Sequence, residues 1–337
     1  MTRRPSDVVK FVLTISVAVV VLFAASAVAK QIPTAQPSST PTPPKASVRA
    51  EFADLTSQGT VFIYKSPSPL DPCAPMTPGP MPLIPLGTGF VVGIDSTEAT
   101  PQLWSGWKFL VTAKHVLANE REVILRVNSE DEKRFVCKSV EISASGDKQN
   151  TLFARKGVDL VAVRFPEIEG ADPTVVPIEM VADESKMREW DIGVGTQVAT
   201  VGYLFGYSGR RTNFPVVKFG HISAMSSEPW FYNRGVDMVE DAYVVDLPNA
   251  PGLSGAPVFA YGYEIDTKTG LRYRELPPYV VGVVKDLLLA PIPVNSEQAV
   301  MISQGVAVIE PGSNLKALMR QIWVLLKSAG RNVRDIN

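Results

Sequence analysis

An all-β fold of barrel or sandwich class, closed by one C-terminal helix, is what this 337-residue sequence predicts. Three features predict it. Short apolar or alternating runs recur from Thr60 onward, Gly, Pro, Asn and Asp separate them, and only the last stretch carries a helical period. With 45% hydrophobic and 20% charged residues there is enough apolar material for a substantial core.

The N-terminus has positive charge at Arg3, Arg4 and Lys10, then an uncharged span from Phe11 to Ala29. That span is long enough to cross a hydrocarbon layer as a helix, and the charge before it keeps that end in the cytoplasm. It predicts a transmembrane anchor, or a signal helix cut after Ala27-Val28-Ala29. Either way the rest of the chain is expected outside the cytoplasm. Residues 31–46 are Pro, Ser and Thr with almost no large apolar side chain, an extended tether that cannot offset its own ordering entropy.

The strand-like runs are Thr60–Tyr64, Gly89–Ile94, Phe109–Thr112, Val123–Val127, Leu160–Phe165, Gln197–Tyr203, Val216–Ala224, Tyr243–Leu247, Ala256–Ala260, Tyr279–Val284 and Val306–Ile309. They are short and rich in β-branched and aromatic residues, which favours strands over helices. Ser66–Pro85 and Gly262–Pro278 read as surface insertions, and Glu167–Asp191 as a crossover between two halves. In the terminal stretch Leu315, Leu318, Met319, Ile322 and Leu326 share one helical face, with Ser313 as N-cap and Gly330 as stop.

A net charge of −1 with mixed signs argues against nucleic acid as a partner. The only histidines are His115 and His221 and the only cysteines Cys73 and Cys137. No pair of them has metal-ligand spacing, so neither a metal nor another cofactor is expected. The cysteines could bridge in an exported chain, or stand unpaired.

Three motifs carry chemistry. Phe109-Leu110-Val111-Thr112-Ala113-Lys114-His115-Val116 sets a histidine directly after a buried strand. Val158-Asp159-Leu160-Val161-Ala162-Val163 sets an aspartate at a strand entrance, and Asn249-Ala250-Pro251-Gly252-Leu253-Ser254-Gly255-Ala256 sets a serine in a Gly-rich turn. Singly each fits a structural role: a satisfied histidine, a cap, a tight loop. Together they match the needs of a serine nucleophile. It requires an adjacent base, and the base a carboxylate that fixes its tautomer. Gly252 and Gly255 relieve crowding, so backbone N–H groups can face an oxyanion.

Chain order narrows the class. No histidine follows Ser254 and the Gly-x-Ser-x-Gly elbow is missing, against an α/β-hydrolase. Nothing near Asp95 suits the subtilisin order. Histidine, aspartate, serine is the order of the two-barrel serine proteases.

Over residues 86–311 the sequence resembles the trypsin-like peptidases, nearer the bacterial HtrA-like branch than digestive trypsins. Gly87-Thr88-Gly89-Phe90, Thr112-Ala113-Lys114-His115, Asp159-Leu160-Val161-Ala162, Val201-Gly202-Tyr203-Leu204-Phe205-Gly206 and Gly220-His221-Ile222-Ser223-Ala224 carry the resemblance, with Asp246 eight residues before the serine. It implies two six-stranded antiparallel barrels with His115 and Asp159 from the first and Ser254 from the second. It also implies an oxyanion hole from the Gly252 and Ser254 amides, and a substrate cleft at Pro248, Val283, Val284 and Lys285. Pro248 stands where trypsins have aspartate, so a small or medium apolar side chain is expected before the cut. Lys285 stands where a small hydroxylic residue usually neighbours the acid. About 25 residues after the last strand are too few for a PDZ domain.

The organisation expected is a signal or anchor segment over 1–30, a linker over 31–50, a first barrel over 51–170, a crossover and second barrel over 171–311, and a helix and tail over 312–337. The function expected is an extracytoplasmic serine endopeptidase acting on polypeptides, in contact with a membrane only through an uncleaved N-terminal helix. A catalytically silent module kept for binding is the alternative, and a serine esterase the weaker third.

Overall fold

The computed structural model describes residues 58–65, 84–96, 106–118, 120–142, 152–205, 207, 209–225, 230–231, 238–239, 242–248, 250–265, 272–294 and 299–335. The expected N-terminal helix, the Pro-rich tether and most of Ser66–Pro85 lie outside them. No helix among the described residues is long and apolar enough to cross a membrane.

The first half contains β1 (Thr60–Lys65), β2 (Ile84–Asp95), β3 (Gly106–Ala113), α1 (Lys114–Leu117), β4 (Glu122–Asn128), β5 (Phe135–Glu141), β6 (Leu152–Ala154), β7 (Leu160–Arg164) and β8 (Val175–Pro177). A 3₁₀ turn at Ile178–Met180 and α2 (Glu184–Glu189) lead onward. The second half contains β9 (Gln197–Gly202), β10 (Val216–Met225), β11 (Trp230–Phe231), β12 (Met238–Val239), β13 (Tyr243–Val245), β14 (Pro257–Ile265), β15 (Arg272–Pro293) and β16 (Ala299–Pro311), and α3 (Gly312–Ser328) follows.

The second half closes into the expected six-stranded barrel, in the order β10-β13-β16-β15-β14-β9. The first half departs from expectation. Among the described residues it is an open sheet in the order β5-β4-β1-β2-β3-β7-β6, and β5 and β6 are its two ends. An eighth strand, β8, joins β2 in parallel, so this half is not purely antiparallel. The reason lies in register. β1 stops at Thr60, opposite Phe90, and β8 takes up Val91–Gly93 of β2, where β1 no longer reaches.

Two loop expectations also change. Gly262–Pro278 holds the outer arms of β14 and β15, paired from Gly262↔Leu276 to Ile265↔Arg272. Glu167–Asp191 holds β8 and α2. The terminal helix stands, but its N-cap is Pro311 without a side-chain cap, and Ser313 lies inside the first turn. Gly330 adopts the left-handed φ of 70° just past the helix end, and its N–H reaches the Lys327 carbonyl.

One buried cluster joins the halves. Phe90, Phe109, Val111, Leu160 and Ala162 from the open sheet pack with Val201, Phe259 and Val283 from the barrel, and Leu315, Leu318, Met319 and Ile322 of α3 fill the same cluster. Cys137 in β5 is disulfide-bonded; Cys73 lies outside the described residues.

Candidate functional site

Register brings His115 to Asp159. The antiparallel pair β3–β7 aligns Ala113 with Leu160, so the residues just past β3 meet the residue just before β7. The chain then turns into the one-turn helix α1, which lifts the His115 ring off the sheet while its backbone stays tied. His115 N–H donates to Asp159 Oδ1 at 3.0 Å, and Lys114 N–H donates to the Asp159 carbonyl at 3.1 Å. The ring follows, with Nδ1 and Asp159 Oδ2 2.8 Å apart. With the carboxylate accepting, Nδ1 carries the proton and Nε2 is left as the basic nitrogen. The imidazole is half exposed and the carboxylate mostly covered.

Ser254 sits in the turn that leads into β14, and this turn is held from both sides. From the barrel, Gly255 N–H donates to the Val284 carbonyl and Val284 N–H to the Ala256 carbonyl, each at 2.8 Å. From the open sheet, Thr88 N–H donates to the Ser254 carbonyl at 2.9 Å. The buried Thr88 hydroxyl donates to the Gly252 carbonyl at 2.7 Å and accepts from Tyr203 N–H at 2.9 Å. Thr112 Oγ1 donates to the Thr88 carbonyl at 2.6 Å.

Two glycines make this approach possible. Gly255 has φ 86°, and a Cβ there would lie 2.1 Å from Thr112 Oγ1 and 3.0 Å from Ala113 N. The serine turn therefore abuts the end of β3, two residues before His115. Gly252 has φ 104°, with Tyr203 where a Cβ would fall. In this turn the N–H groups of Leu253, Gly255 and Ala256 are hydrogen-bonded. Among the described residues those of Gly252 and Ser254 donate to no partner, and no hydrogen bond joins Ser254 Oγ to the His115 ring.

The expected cleft residues fare differently. Pro248 is exposed, and its carbonyl accepts from the Lys218 ammonium. Burial holds that ammonium below the usual lysine range. Val283 and Val284 are buried in the core, so their side chains are not on an open face. Lys285 is turned to Glu310, 3.4 Å away, and is not a free cation for an acidic substrate side chain. His221 lies on β10, where its N–H donates to Asp246 Oδ1 at 2.7 Å. Among the described residues no group of three or more His, Cys, Asp or Glu could hold a metal ion.

Sequence reasoning missed Thr88 and Glu310 as parts of this neighbourhood. Thr88 stood in a quoted motif, but its partners Tyr203 and Gly252 are 115 and 164 residues away. Glu310 ended an apolar run, and nothing local signals that its carboxylate accepts from Asp159 N–H at 3.3 Å.

A family profile described as a trypsin-like peptidase domain matches residues 87–264. No curated protein matches the chain. Among crystal structures, the MamO protease domain from Magnetospirillum magneticum aligns at 11% identity over 79% of this chain and 97% of its own, with a TM-score of 0.44. The active form of the Rv3671c protease from M. tuberculosis aligns at 18% identity over 88% of this chain and 94% of its own, with a TM-score of 0.43. An inactive form of Rv3671c aligns at 18% over 82% and 94%, also at 0.43.

Proposed function

The chain belongs to the family of trypsin-like peptidase domains, and from that premise we propose that it is a serine endopeptidase with Ser254 as nucleophile, His115 as base and Asp159 as orienting acid. The observation that carries this is the His115–Asp159 pair, tied through both ring and backbone, beside a serine turn pinned by Thr88 and Val284. In this reading His115 Nε2 takes the Ser254 hydroxyl proton as Oγ attacks the carbonyl carbon of the scissile bond. The resulting oxyanion accepts from the unengaged N–H groups of Gly252 and Ser254. The C–N bond then breaks, His115 returns the proton to the leaving amine, and water releases the acyl group by the same steps.

Peptide segments of proteins are the substrates in this reading, reached outside the cytoplasm. The N-terminal charge pattern and span of residues 1–30, the tether over 31–50 and the disulfide at Cys137 all support an oxidising, extracytoplasmic setting.

A catalytically silent binding module is the second reading, favoured by the missing hydrogen bond between Ser254 Oγ and His115. A fluorophosphonate probe separates the two, because only an activated serine reacts. Labelling of the wild-type chain, abolished by Ser254→Ala, is the expected result. A folded wild type that stays unlabelled supports the silent module.

A further inference from the structure

We propose that Glu310, acting with Lys285 and Asn314, is a positioning residue that holds the His115–Asp159 pair in register with the turn carrying Ser254. The proposal rests on the reading of those three residues as the catalytic set.

Glu310 lies at the end of β16, with its side chain only 3% exposed. A carboxylate buried that completely persists only where its oxygens are satisfied. Here each is. Oε2 accepts from Asp159 N–H at 3.3 Å and from Lys285 Nζ at 3.4 Å, and Oε1 accepts from Asn314 Nδ2 at 2.7 Å. Asn314 belongs to α3, and its Oδ1 accepts in turn from Arg155 Nη1 of the open-sheet half at 3.2 Å.

The position of this network matters more than its strength. Asp159 precedes β7 in the open sheet, whereas Glu310 and Lys285 belong to the barrel. Lys285 directly follows Val284, the residue that grips both Gly255 and Ala256 beside the nucleophile. A continuous path of bonds therefore runs from the serine turn through Val284 and Lys285 to Glu310, and from there to the backbone of the acid that holds His115. An ion pair serving stability alone has no need to end on that one N–H group. Because the acid and the nucleophile sit on different halves, their spacing is set by whatever crosses between them. Misplacement of a reacting group by about 1 Å can cost on the order of a hundredfold in rate.

The test uses the full chain and three variants: Glu310→Ala, Glu310→Gln, and the double variant Glu310→Leu with Lys285→Met. The double variant replaces the pair by apolar groups of similar size and keeps the test open if Glu310→Ala does not fold. Two readouts apply: kcat and KM on a cleaved peptide with the fluorophosphonate labelling rate, and the low-field proton resonance of His115 Nδ1–H held by a carboxylate. In Glu310→Ala and in the double variant kcat and labelling should fall about ten- to a hundredfold, with KM within about twofold, and the resonance should broaden or vanish. Glu310→Gln, which keeps an acceptor for Asp159 N–H, should recover much of both. Folded Glu310→Ala or double variant with unchanged kcat and an unchanged resonance overturns the proposal, as does a loss of rate that only tracks the folded fraction. If the wild type never labels, the catalytic reading fails by itself, and the His115 resonance across the same variants still decides the positioning role.

Discussion

Thr88 shows how much a single hydroxyl can settle at the residue scale. Its Oγ1 gives one hydrogen bond to Gly252 and takes one from Tyr203, so it binds the serine turn and the start of the barrel to β2 at once. Thr88→Val keeps the shape and strands a partly buried carbonyl and a buried N–H. A loss of about 1–3 kcal/mol is expected in urea unfolding, together with slower fluorophosphonate labelling, whereas Thr88→Ser should keep both near wild type. A valine variant with wild-type stability and labelling would show that the turn holds itself. At this scale His115, Asp159 and Ser254 were legible as residue types whose chain order fits one mechanism. Thr88, Glu310 and the pairing of Lys285 were not, because their meaning lies in partners far away in sequence.

At the scale of elements, the strands were legible from their β-branched runs and α3 from its apolar face. The parallel entry of β8 beside β2 was not legible, because it depends on where β1 stops along β2. A buried cation flanking the apolar stripe of α3 explains how the helix is fixed. Lys316 is buried, and its ammonium is 2.9 Å from Asp183, which also caps α2 through Lys186 N–H. Burial alone would raise the Asp183 carboxyl. The hydrogen bonds from Lys316 and Lys186 N–H, with the charges of Lys316 and Arg320, outweigh it and hold that carboxyl below the usual carboxylate range. A lowered folded-state pKa means stability that is complete above the ordinary carboxylate value and is lost as pH falls through the lowered one. Lys316→Met is therefore expected to lower stability at neutral pH by about 1–3 kcal/mol. The gap in melting temperature from wild type should narrow as the solution is acidified below the carboxylate range. A gap that stays constant into strong acid would argue against Asp183 as the responsible partner.

For the whole molecule, the shared cluster and the bonds across the two halves point to one cooperative unit. Arg126 of β4 donates to the Gly209 carbonyl at 2.8 Å, and Asn128 and Asn213 exchange hydrogen bonds in the same seam. Calorimetry is expected to give a single transition whose van't Hoff and measured enthalpies agree; two resolved transitions would contradict a common core. The anchor reading belongs to this scale too. N-terminal sequencing of the mature protein should find Arg3 and Arg4 retained in a membrane fraction, and a chain beginning at Lys30 would replace the anchor with a cleaved signal. The packing of α3 has a consequence in time. This helix touches β6 and β7 as well as β15 and β16, and its Leu315, Leu318 and Met319 complete a cluster whose other walls include β2, β3 and β7. The seam between the two halves thus waits for residues made after both of them before it is full. A chain stopped after Pro311 should remain digestible by an added protease, and a chain that includes α3 should become resistant. The order of synthesis itself then delays assembly of the reactive centre until α3 has been made.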